Sequence, residues 1–159
     1  MLTYHQRPIC LSWISTDLPF WSSIETAATI YQREKERFHL LLNQPLLPAD
    51  GMSLPIASDQ GTSLLWLELS PYRVIMTMQG NGKLGYRHFW ETGIYGLSRY
   101  WLHNAEADFY DNKILRLRNF TRTLQLEGRP LPESLRLEYE LWSEKVRLGH
   151  YVLHLEIQH

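Results

Sequence analysis

Ser134-Leu135-Arg136-Leu137-Glu138-Tyr139-Glu140-Leu141-Trp142 decides how this chain is read. Leu135, Leu137, Tyr139 and Leu141 alternate with Arg136, Glu138 and Glu140. An extended backbone turns the first set to a dry face and the second to a wet one, as an antiparallel sheet requires. The flanking stretches, Ile114 to Leu126 and Lys145 to Ile157, read as strands joined to it by turns at Gly128-Arg129-Pro130 and near Ser143-Glu144.

Both flanking strands change phase. Leu115 and Leu117 are odd-numbered while Phe120, Leu124 and Leu126 are even; Val146 and Leu148 are even while Tyr151, Leu153, Leu155 and Ile157 are odd. An extra residue near Asn119 and another near Gly149-His150 restores each pattern, which is the mark of a β-bulge. Bulges bend long strands, so a curved meander is expected. On this reading Arg122 falls among Phe120, Leu124 and Leu126, on the dry face.

Further upstream, Ser63 to Leu69 and Tyr72 to Met78 read as a strand pair joined at Ser70-Pro71, and Ile9 to Ile14 as a short strand. Between them, Asp17-Leu18-Pro19 opens a predicted helix, with the spacing of a capping box in Ser22-Ser23-Ile24-Glu25. Phe20, Trp21, Ile24, Ala27, Ala28, Tyr31, Phe38, Leu41 and Leu42 draw its apolar stripe, and Arg33-Glu34-Lys35-Glu36-Arg37 its solvated face. Phe89, Trp90, Gly93, Ile94, Leu97 and Trp101 recur at helical spacing and predict a second, central helix over 86–102. Asn81-Gly82 points instead to a hairpin that continues a meander. The Pro-containing stretch 43–61 reads as a long loop, either a lid or docking segment or padding over a sheet edge. Residues 104–112 read as an acidic connection.

The expected architecture is therefore one α+β domain over residues 1–159. A curved antiparallel sheet, made of the C-terminal three-strand meander and the central strand pair, packs against the N-terminal helix and the central one.

Composition narrows the function classes. In the 159 residues, 16 Lys and Arg nearly balance 17 Asp and Glu, which leaves no electrostatic footprint for nucleic acid. No apolar run approaches the ~20 residues that cross a bilayer, and the first residues lack the apolar core of a signal peptide. The single cysteine, Cys10, fits a reducing compartment, hence a cytoplasmic protein, and its neighbours Ile9 and Leu11 suggest an inert core thiol. Aromatic residues make up 13% of the chain; rings of this kind fill cores, anchor interfaces and wall ligand sites.

Gly80-Asn81-Gly82-Lys83-Leu84-Gly85 spells a dinucleotide-binding pattern after a predicted strand. The alternating strands downstream argue against the parallel sheet that such a site needs, so the run is read as a turn. His150 and His154 lie four apart, but in a strand that spacing spans ~13 Å, too far to share a zinc ion. The stretch His103 to Asp108 matches no known coordination spacing. His88 and Glu91 would share a face of the central helix as an acid–base pair. The sequon Asn119-Phe120-Thr121 is taken as accidental. No catalytic residue, cofactor site or metal-ligand set is assigned.

Arg122 carries the sharpest expectation. A guanidinium on a dry face needs a partner, either a carboxylate within the fold or an anionic ligand under the curved sheet. In the second case Arg122, Phe120, Tyr139 and Tyr151 form the ligand-binding set. Two functions follow from these features. The first is a non-enzymatic protein-interaction module (an assembly factor, adaptor or regulator) with a protein partner. The alternative is a small-molecule-binding or acid–base enzyme domain with an aromatic-lined pocket for a small anion.

Overall fold

A computed structural model describes residues 3–19, 21–44, 63–79, 84–102 and 113–159. Its strands are β1 (Thr3–Ser15), β2 (Trp21–Glu34), β3 (Arg37–Gln44), β4 (Ser63–Leu69), β5 (Arg73–Gln79), β6 (Leu84–Glu91), β7 (Tyr95–Leu102), β8 (Lys113–Glu127), β9 (Ser134–Ser143) and β10 (Val146–Ile157). Each pairs antiparallel with its sequence neighbours, and β1 pairs with β10 from Ile9↔Ile157 to Ser15↔Tyr151. The sheet therefore closes into a barrel, which removes the exposed edges of an open sheet.

The described residues contain no helix, so the α+β expectation is corrected to an all-β barrel. The predicted N-terminal helix is β2 and β3. Ile24, Thr26, Ala28 and Ile30 face inward, while Glu25, Ala27, Thr29 and Tyr31 face outward. Apolar residues on both faces mimicked a helical stripe, but the β-branched Ile24, Thr26, Thr29 and Ile30 suit a pleated strand better. The charged run is the hairpin turn, closed by Glu34↔Arg37 with Glu36 at φ 67°. The predicted central helix is the hairpin of β6 and β7, which reverses at Gly93 with φ 77°. Gly85 lies under the Trp101 ring, where a Cβ would collide with the indole. The antiparallel pairing of β5 with β6 also removes the parallel context that a dinucleotide site needs. Residues 80–83 of that glycine run, most of the 43–61 loop and His103 to Asp108 lie outside the described residues.

The row Leu135, Leu137, Tyr139 and Leu141 is buried as expected, but the far wall of the barrel covers it rather than a helix. Leu40, Leu65, Leu67, Val74, Met76, Leu153 and Leu155 meet it in the interior at 0% exposure. Charged residues such as Arg73, Arg116, Arg118, Arg122 and Arg136 stand on the outer wall. Exposed apolar side chains share that wall, among them Leu64, Trp66, Leu97, Ile114 and Leu115. Among the described residues no helix is long and apolar enough to cross a membrane.

β10 shifts register against β9 between Arg147 and Gly149, where the sequence placed a bulge. β8 shifts between Thr121 and Thr123, so its extra residue is Arg122 itself rather than one near Asn119.

Candidate functional site

The interior of the barrel has two sectors. β2 to β5 contribute aliphatic and small side chains (apart from Phe38), which pack into a core. β6 to β10 and β1 share in that core through Ile9, Leu11, Leu135, Leu137, Leu153 and Leu155, and add aromatic and polar side chains gathered toward the end where β1 turns into β2 and β9 into β10. Alternation along β6 turns Tyr86, His88 and Trp90 inward; β7 supplies Ser98 and Tyr100, β8 Asn119 and Thr121, β9 Tyr139, β10 Tyr151 and β1 Trp13. His88, Trp90 and Tyr139 form a fully buried floor, and Trp13, Tyr86, Tyr100 and Tyr151 stand above it partly exposed.

His88 is the centre of this arrangement. Its ring stacks on Trp90 with centroids 4.7 Å apart and planes 4° from parallel. Trp13 and Tyr100 meet it edge-on at 5.5 and 5.3 Å. Its Nδ1 lies 2.7 Å from Ser98 Oγ and its Nε2 3.2 Å from the Tyr100 hydroxyl. Asn119 Nδ2 donates to Ser98 Oγ at 2.8 Å and to the Phe89 carbonyl at 3.1 Å. Trp13 Nε1 donates to the Tyr139 hydroxyl at 2.8 Å, and Tyr139 stacks on Tyr151 with centroids 5.4 Å apart.

Desolvation sets the charge state here. Burial pushes the His88 pKa down to about 3, so the imidazole is neutral at ordinary pH. Burial also raises the phenol pKa values of Tyr86, Tyr100, Tyr139 and Tyr151, and repulsion from neighbouring phenol groups adds to the first three. The end thus offers neutral rings and hydroxyl donors. Three inward polar atoms, Trp90 Nε1, Asn119 Oδ1 and Thr121 Oγ1, are buried without a hydrogen-bond partner among the described residues.

Of the four predicted ligand residues, Tyr139 and Tyr151 belong to this cluster. Arg122 and Phe120 do not, because the bulge falls at Arg122 and leaves both on the outer wall. Arg122 is 57% exposed along its side chain and donates from Nε to Glu140 Oε1 at 3.0 Å. Phe120 packs on Tyr95, with centroids 5.0 Å apart. The inner-face placement of Arg122 is thereby corrected, and with it the idea that the four residues converge. The phase reading failed because Asn119 and Thr121, both polar, are the inward residues of β8.

His88 and Glu91 are not a pair either: in a strand, three residues apart means opposite faces. His150 and His154 lie on the outer face, and no cluster of three metal-ligating side chains occurs among the described residues. Cys10 is half-buried on the outer face, 3.7 Å from Ser23 Oγ, rather than in the core. Asn119 is fully buried, so its side chain is no glycan acceptor in this fold. Sequence reasoning missed the His88 cluster, whose signal was Tyr86, His88 and Trp90 at every second position facing Ser98 and Tyr100 across a glycine turn.

Two clefts of about 440 and 780 Å³ lie toward the opposite end, both bordered by Phe38 and Tyr72. In the smaller one Arg37 lies 3.6 Å from Glu34 and Arg73 3.6 Å from Glu91. Neither cleft gathers buried polar groups in need of a partner, which the His88 end does.

Fold and interior together define an up-and-down, ten-stranded antiparallel barrel with one aromatic, polar sector. The crystal structure of the ywiB protein from Bacillus subtilis shares this fold, with a TM-score of 0.60 over 97% of this chain and 94% of that one, at 14% sequence identity. No family model matches the sequence, and no curated protein does.

Proposed function

We propose that this chain is a small-molecule-binding barrel that holds a compact, planar ligand against the aromatic end of its interior. The observation that carries this reading is the trio of buried, unpartnered polar atoms on Trp90, Asn119 and Thr121, beneath the partly exposed rings of Trp13, Tyr86, Tyr100 and Tyr151. A buried polar group left unpaired costs about 1–3 kcal/mol. Several in one sector of an otherwise well-packed core are the local sacrifice that binding sites make. No cation among the described residues faces this sector, so the anionic ligand expected from the sequence gives way to a neutral one. We assign no chemical step to the site.

Trp13 and Trp90 make the test direct. A neutral naphthalene-type probe should quench tryptophan fluorescence and raise the melting temperature, and replacing Tyr86 by Ala should weaken both effects. Indifference of both signals up to the solubility limit of the probe sinks the reading.

A protein-interaction role is the second reading. Trp21 is 67% exposed opposite Ile14, and Leu18 is exposed in the turn between them. Such a contiguous apolar patch suits a protein partner, and the balanced charge of the chain does not suit nucleic acid. Trp21→Ser should abolish any specific complex recovered from cells; a complex that survives the change removes this patch from consideration. A reducing, cytoplasmic setting goes with both readings, supported by the lone thiol of Cys10.

A further inference from the structure

We propose that the ligand presents a neutral carbonyl-type acceptor to the hydroxyl of Tyr100, the outermost donor of a one-directional hydrogen-bond chain that runs Asn119, Ser98, His88, Tyr100. The inference rests on the small-molecule reading above and names the chemistry which that site would recognise.

The direction of the chain follows from counting hydrogens. Asn119 Nδ2 spends both of its hydrogens, on the Phe89 carbonyl at 3.1 Å and on Ser98 Oγ at 2.8 Å. Ser98, fully buried, therefore accepts from Asn119 and has one hydrogen to give, and His88 Nδ1 stands 2.7 Å away. With Nδ1 accepting, the neutral ring carries its hydrogen on Nε2 and donates it to the Tyr100 oxygen at 3.2 Å. The Tyr100 hydrogen then has no acceptor among the described residues and is left to be given outward. The opposite direction would bring two donors onto Ser98 Oγ and leave its own hydrogen without an acceptor among the described residues, at a position with 0% exposure.

A parallel relation holds beside it. Trp13 Nε1 donates to the Tyr139 oxygen at 2.8 Å, so that phenol too has its hydrogen left to give. Hydrogen-bond chains in a low-dielectric interior polarise one another, which makes the terminal hydroxyl a better donor than an isolated phenol. The protein side of the site is thus rich in donors. An anion would lose its hydration there with no cation to meet it, whereas a carbonyl on an apolar ring gains a hydrogen bond and keeps its ring among rings.

Three probes of one shape separate the possibilities: 2-acetylnaphthalene, 2-ethylnaphthalene and 2-naphthoate, titrated by tryptophan fluorescence. The acetyl compound should bind about fivefold or more tightly than the ethyl compound, as one net hydrogen bond allows, and the naphthoate should bind most weakly. Tyr100→Phe, a minimal change, should bring the acetyl-to-ethyl ratio close to one. The carbonyl stretch of bound acetylnaphthalene should lie at lower frequency in the parent protein than in Tyr100→Phe. Equal binding of the acetyl and ethyl compounds, a ratio that survives Tyr100→Phe, or preference for the naphthoate overturns the acceptor proposal while leaving ring binding in place. Failure of all three probes to bind overturns the small-molecule reading itself.

Discussion

The imidazole of His88 lies flat on the indole of Trp90, 4.7 Å between centroids, and both rings are wholly removed from solvent. A titratable ring is thereby fixed within an aromatic stack whose other members, Trp13, Tyr100 and Tyr139, are neutral. No carboxylate among the described residues touches it, so only two neutral hydroxyl oxygens and the faces of the rings offset the cost of a positive charge.

Stability should therefore depend on pH through this residue. In the unfolded chain the ring takes a proton below about pH 6.5, whereas in the barrel it resists until about pH 3. Between those values the unfolded state binds the extra proton, so the contribution is fully present above pH 6.5 and is lost as pH falls toward 3. The slope is about 1.4 kcal/mol per pH unit, or about 2 kcal/mol by pH 5. Urea denaturation at pH 7.5 and 5.0 should show this loss in the parent protein and much less of it in His88→Gln. An equal loss in both would assign the acid sensitivity to other groups.

Closure between Trp13 and Tyr139 should be measurable as a coupling. Trp13→Phe and Tyr139→Phe each remove one end of the same 2.8 Å hydrogen bond. Their combined cost should fall short of the sum of the single costs by about 1 kcal/mol. Strict additivity in a denaturation cycle would mean that the bond contributes nothing net.

The alternating row of β9 should behave as core. Leu137, at 0% exposure, should lose about 2–5 kcal/mol on replacement by Ala, since its neighbours across the barrel cannot collapse onto the gap. Leu97, 41% exposed on the outer wall, should lose about 0.5 kcal/mol or less. Comparable losses at the two positions would contradict the inside–outside assignment.

How much of this was legible in the sequence follows from which residues obey simple alternation. β9 does, with every inward residue apolar, and β10 does once one extra residue is admitted near Gly149. β2 does not, because Tyr31 and Ala27 on its outer face are apolar and Thr26 on its inner face is polar, which erased the period of two. The site fails the pattern for a related reason. Ser98, Asn119 and Thr121 are polar and point inward, so any reading that sends polar residues to solvent misassigns them. Tyr139 and Tyr151 were found because they are apolar enough to keep the pattern; His88 was singled out only with Glu91, because the helical spacing of Phe89, Trp90, Gly93, Ile94, Leu97 and Trp101 hid the strand that carries it. Ser98, Asn119 and Thr121 broke the rule and help to build the site, whereas Thr26, Ala27 and Tyr31 broke it in β2, away from the site.

Arg122 and Glu140 supply the last expectation, because their pairing decides what the arginine does. The Nε–Oε1 distance is 3.0 Å, with the guanidinium side chain 57% exposed and the carboxylate side chain 9% exposed. An exposed partner lets water replace it, so Arg122→Met should cost about 1 kcal/mol or less. The cost should shrink further in 1 M salt, where charges are screened within ~3 Å. It should also shrink in a Glu140→Gln background, where no carboxylate is left to satisfy. Fluorescence titrations with the naphthalene probes should be the same with and without Arg122, since the side chain stands on the far side of the wall from Trp13 and His88. A loss of about 3–5 kcal/mol would instead mean that Glu140 is stranded without water when the arginine goes. A loss of probe binding would return Arg122 to the interior.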